Sequence, residues 1–94
     1  MDKAEARRIQ RERIDDLRGR PFDKLVADYL DEPQTDEIVG ESGATYQVEV
    51  QATWDDKAQS HLRVMVGIDD GGWRAFVPLV DDFIIRPDGS FVGE

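Results

Sequence analysis

Between Thr45 and Trp54 the chain alternates without a break. Tyr46, Val48, Val50, Ala52 and Trp54 fall on one side, and Thr45, Gln47, Glu49, Gln51 and Thr53 on the other. Strand side chains alternate with period two, so this is a half-buried strand with its faces labelled. A second run puts Leu62, Val64, Val66 and Ile68 on one face, and a third does the same with Trp73, Ala75, Val77 and Leu79. Asp69-Asp70-Gly71-Gly72 stands between the last two as a hairpin signal. A two-residue loop at Asp70-Gly71 pairs Ile68 with Trp73, Val66 with Ala75, Val64 with Val77 and Leu62 with Leu79, and sets Met65 against Phe76 on the opposite face. An odd-numbered slip would scatter these apolar residues over both faces. Arg86-Pro87-Asp88-Gly89-Ser90 reads as a turn joining Phe83–Arg86 to Ser90–Val92, because proline presets φ and glycine supplies φ > 0.

The first third has a helical period. Residues 2–18 place Ala6, Ile9, Ile14 and Leu17 on one broad side, with Arg13 intruding and Arg8–Glu12 and Arg11–Asp15 spaced for i,i+4 pairing. Gly19 suits a helix end and Pro21 the first turn of another. Phe22, Leu25, Val26, Tyr29 and Leu30 then form a full apolar stripe, which Pro33 stops. The acidic connector 31–44 holds Ile38-Val39. A two-residue Ser42-Gly43 loop would set Val39 opposite Tyr46.

These patterns predict one α+β domain over residues 1–94. Two N-terminal helices (1–19 and 20–32) precede a four- or five-stranded antiparallel meander (36–94) packed on the second helix. The first helix, with its broken stripe, is expected to be the least stable element and to order against a partner.

Charge alters the functional picture. The net charge is −9. Residues 1–20 carry seven bases and five acids, a balance of +2, whereas residues 21–94 carry five bases and sixteen acids, a balance of −11. Such a body repels phosphate, so no nucleic acid is expected as a partner. A basic protein, self-association or cations remain. The acids are fourteen Asp to seven Glu and the bases nine Arg to three Lys. An aspartate-rich, lysine-poor surface resembles those of salt-loving prokaryotes, a reading that assigns much of the acidity to habitat. With no cysteine, disulfides and thiolate chemistry are excluded. No apolar run has the length of a membrane span, so a cytoplasmic protein without a membrane partner is expected.

Trp54-Asp55-Asp56, the stretch from Ile68 to Phe76, Pro78-Leu79 and the ending from Pro87 to Glu94 together resemble a family of small uncharacterised prokaryotic proteins, a domain-of-unknown-function group of bacteria and archaea. The resemblance covers roughly residues 37–94 and carries no assigned activity. It implies the fold and no catalytic residue.

Three Asp-Asp pairs raise divalent-cation chemistry. In a simple meander the first and third turns share one end, which gathers Asp55, Asp56, Asp81 and Asp82, with His61 close by. Hard cations such as Ca²⁺ or Mg²⁺ take several such oxygens. Hairpin turns favour aspartate on their own account, however. His61 is the only histidine and reads as a solvated strand-end residue. No GxSxG elbow, phosphate loop or dinucleotide fingerprint occurs, so a non-catalytic module without a cofactor is expected. Its candidate interaction residues are Met65 and Phe76 on the second sheet face and Trp73 near the hairpin tip. A cation-dependent regulatory or weakly hydrolytic site at the aspartate turns is the alternative.

Overall fold

The computed structural model describes residues 1–71 and 78–94. Helices α1 (Lys3–Arg18) and α2 (Phe22–Tyr29) precede strands β1 (Gln34–Val39), β2 (Thr45–Trp54), β3 (Leu62–Asp69) and β4 (Leu79–Ile85). The strands form one sheet in sequence order, and every neighbouring pair is antiparallel. Among the described residues the architecture is α+β, a four-stranded meander with two helices in front of it. Among the described residues no helix is long and apolar enough to cross a membrane.

Alternation decides which sheet face is buried. Tyr46, Val48, Val50 and Ala52 of β2 and Leu62, Val64, Val66 and Ile68 of β3 are at most 2% exposed. They form one core with Phe83 and Ile85 of β4, with Leu25 and Tyr29 of α2, and with Ala6, Ile14 and Leu17 of α1. Phe22 of α2 stacks obliquely on Trp54, their ring centroids 6.2 Å apart. Both helices therefore lie on the same face, where the sequence pattern assigns the cover to α2 alone.

Polar contacts dock α1 as much as apolar ones. Asp2 caps it, accepting from the Glu5 amide at 3.0 Å. Gln10, buried within the stripe, donates to the carbonyls of Val66 at 2.8 Å and Leu79 at 3.1 Å. Glu5, also buried, accepts from the Ser42 hydroxyl at 2.6 Å, the Ser42 amide at 3.0 Å and the Tyr46 hydroxyl at 2.7 Å. Gly40 permits this approach, since a Cβ there would stand 2.6 Å from the Glu5 carboxylate. At the C-terminal end Arg18 holds Glu94 at 2.6 and 2.8 Å and lies 4.0 Å above the Phe91 ring.

The β3–β4 register differs from the expected one. Ile68 pairs with Leu79, Val66 with Asp81, Val64 with Phe83 and Leu62 with Ile85. The Leu62–Leu79 pairing is thus displaced by six residues along the partner. Six is even, so the apolar side of each strand stays on the core face, and the hydrophobic pattern alone could not reject the other register. The expected partners Trp73, Ala75 and Val77 lie outside the described residues. Gly71 does take a positive φ of 73°. Val39 is also displaced, by one position: it pairs with Thr45 while Ile38 pairs with Tyr46, because the β1–β2 loop closes with Gly40 donating to Ala44 at 2.8 Å. The expected final hairpin is present in reduced form. Arg86 donates to the Ser90 carbonyl at 2.8 Å, and Ile85 and Phe91 form a single bridge.

Candidate interaction surface

The face turned away from the helices is set by the other half of the alternation. It carries Thr35, Glu37 and Val39 of β1; Gln47, Glu49, Gln51 and Thr53 of β2; Arg63, Met65, Gly67 and Asp69 of β3; and Val80, Asp82 and Ile84 of β4. No described element packs over it. Gly67 adds no side chain at its middle, and a shallow trough of about 430 Å³ runs across it, bordered by Thr35, Glu49, Gln51, Met65, Asp69 and Val80. Val80 and Val39 are among the most exposed large apolar residues, at 55% and 66%. Met65 lies half-buried within the trough, opposite Gln51 on one side and Asp82 on the other. Trp73 and Phe76, the other two expected interaction residues, lie outside the described residues.

Charge on this face is mostly negative. Among the described residues, Glu37, Glu49, Asp69 and Asp82 stand against one base, Arg63. That base is already engaged: its guanidinium donates to Asp55 Oδ1 at 2.6 and 2.9 Å and to Asp82 Oδ2 at 2.5 Å. The two aspartates hold its pKa above the ordinary arginine value. Glu37 accepts a hydrogen bond from Gln47 at 3.1 Å. Glu49 is exposed and forms no ion pair among the described residues.

The five residues of the cation reading are distributed as follows. Asp55, Asp56 and His61 sit around the β2–β3 turn. Asp81 and Asp82 lie within β4 opposite Val66 and Met65, and not in a turn, a consequence of the displaced register. Because they are consecutive in a strand, their side chains leave opposite faces of the sheet, and both residues border a cleft with Arg11 and Arg18 of α1. Asp55 and Asp82 do approach each other, with the Arg63 guanidinium between them. Asp56 instead organises its own turn, accepting from the Ser60 hydroxyl at 2.6 Å, the Ser60 amide at 2.9 Å and the His61 amide at 2.8 Å. The Ser60 hydroxyl bond foremost pulls its pKa down to about 2. Among the described residues no three His, Asp or Glu side chains come together in a group that could hold a metal ion.

Arg63 is the residue that the sequence reading passed over. Its signal was positional: it occupies the outward site between Leu62 and Val64, beside an aspartate-rich turn. No protein-family model, curated protein or solved structure matches the chain.

Proposed function

We propose that the chain is a small non-catalytic interaction module that takes a basic protein partner on the open face of its sheet. The observation that carries this reading is the asymmetry of the sheet. Two helices cover one face, while the other presents a trough at Met65 and Gly67 with exposed valines and acids, and Arg63, the one base among the described residues of this face, is already engaged by Asp55 and Asp82. Exposed apolar surface bounded by polar groups is a usual feature of interaction sites. Uncompensated acid on it selects a partner of opposite charge and speeds its encounter.

A titration with decalysine, followed by amide NMR, tests this. Shifts concentrated at Gln47–Gln51 and Met65–Asp69, and reduced about tenfold in affinity by Glu49→Lys, are expected. Shifts spread equally over remote acids such as Asp23, Asp31 and Asp88 would show that charge alone attracts the peptide. A dimer in sedimentation that Met65→Glu abolishes would instead place a second copy of the chain on this face.

A further inference from the structure

The two edges of the sheet are treated differently by the chain. In an antiparallel ladder the residues of an edge strand alternate: one turns both its N–H and C=O to its neighbour, and the next turns both away. On β4 the outward groups near the C-terminus are taken up, since Ile84 O accepts from Val92 at 2.9 Å and Arg86 N donates to Ser90. On β1 the Gly40–Ala44 bond fixes the phase. Gln34, Asp36 and Ile38 therefore face β2, and Thr35, Glu37 and Val39 direct their N–H and C=O groups outward. No backbone partner for these three occurs among the described residues, and five of the six β1 residues are exposed. Such an edge is a template for another strand unless it is blocked.

Beside this edge, on the helix side, a groove of about 340 Å³ separates β1 from α1, floored by Ile9 and Ile38. Both isoleucines are only partly buried against the core. Around the edge, residues 31–41 include five acids and no base. Arg13 pairs with Asp36 at 2.8 Å and Arg8 with Glu41 at 3.6 Å, which leaves Asp31, Glu32 and Glu37 without an ion pair among the described residues. A strand added here would send alternate side chains into the Ile9–Ile38 groove and the others alongside Glu37.

We propose that the free edge of β1 accepts an extended protein segment of alternating apolar and basic residues as a fifth strand. A second copy of the chain is a poorer occupant. In the two-fold registers that use the whole strand, Asp36 would meet Asp36 or Glu37 would meet Glu37, and like charges directly opposite destabilise a pair. The edge is separate from the trough on the open face and stands whether or not that face has a partner.

The test uses the full chain with a capped octapeptide of alternating valine and lysine, read by amide exchange and NMR. Protection of the Thr35, Glu37 and Val39 amides is expected to rise about tenfold or more on binding, with Asp36 and Ile38, already bonded to β2, little changed. Glu37→Pro removes an outward N–H while sparing the β1–β2 ladder, so it should weaken binding about tenfold. Glu37→Lys keeps the backbone and should shift preference to an alternating valine–glutamate peptide, which keeps the question answerable if the proline variant does not fold. Absence of binding at millimolar peptide would overturn the proposal. Binding without new protection at Thr35, Glu37 and Val39 would do so too, as would shifts confined to Gln51, Met65 and Gly67, which would place the peptide in the trough.

Discussion

Helices α1 and α2 cover the same face of the same sheet but are held there by different means. The eight residues of α2 follow Pro21 without a side-chain cap and rely on an apolar stripe, Leu25 being fully buried and Phe22 packing on Trp54. The sixteen residues of α1 bury Ala6, Ile14 and Leu17 but complete the stripe with Glu5 and Gln10, each satisfied by hydrogen bonds across to the sheet or its turn. The difference is one of specificity. An apolar stripe accepts any apolar surface of the right shape, whereas a buried carboxylate and amide tolerate only the position that supplies their partners. On this account α1 is fixed in register over β3 and β4 by its polar residues, and no described element covers the sheet's other face.

The comparison breaks most readily by deletion. Removing residues 1–18 takes Ala6, Ile14 and Leu17 from the core and should abolish cooperative thermal unfolding, because the loss is comparable with the roughly 5–15 kcal/mol that holds a domain together. A variant that still melts cooperatively near the parent temperature would make α2 the sufficient cover. Next in size, Leu17→Ala and Leu25→Ala should each cost about 2–5 kcal/mol in chemical denaturation. A loss at Leu17 below about 0.5 kcal/mol, within the range of surface substitutions, would separate the helices in importance. Gln10→Ala leaves the Val66 and Leu79 carbonyls without their amide donor and should cost about 1–3 kcal/mol. A neutral result would show that apolar contact alone places α1.

The pH dependence sharpens the same contrast. The Ser42 hydroxyl first, and then the Tyr46 hydroxyl, hold the Glu5 pKa below its usual 4.5 in the folded state. A depressed folded pKa contributes stability that is present above the unfolded value and is lost as pH falls through the folded one. Glu5→Gln should therefore flatten the fall in melting temperature below about pH 4.5. At the alkaline end the sign reverses for its partner. The Glu5 bond, with burial, raises the Tyr46 phenol to about 12, so its contribution is present below the ordinary phenol pKa of 10 and is lost as pH rises through about 12.

How much of this was legible in the sequence follows from the physics of each element. The alternation of β2 and β3 named the core face residue by residue, and Phe22, Leu25 and Tyr29 named the buried side of α2. The register of β4 was not readable, because a displacement of six preserves the face of every side chain and the Asp-Gly turn supplied a nearer closure. The polar half of α1 was not readable either: Glu5 and Gln10 suit water as well as a buried network, and only the fold shows Ser42, Tyr46 and the strand carbonyls opposite them. A hint was present in the spacing Ala6, Gln10, Ile14, Leu17, in which the amide fills the missing position of an otherwise regular stripe. For the candidate surface, the alternation of β2 alone sets Gln47, Glu49, Gln51 and Thr53 opposite the core. The engagement of Arg63 with Asp55 and Asp82 depended on the register, and so became visible only in three dimensions.

Native-state hydrogen exchange of the α1 amides addresses the central claim most directly. If α1 is fixed to the sheet by its buried polar residues, amides from Ile9 to Leu17 should exchange only with the global unfolding that also releases Val64 and Val66 of β3. Exchange of those α1 amides through a local opening, several kcal/mol cheaper than the opening of β3, would contradict the account and return α1 to a loosely held element.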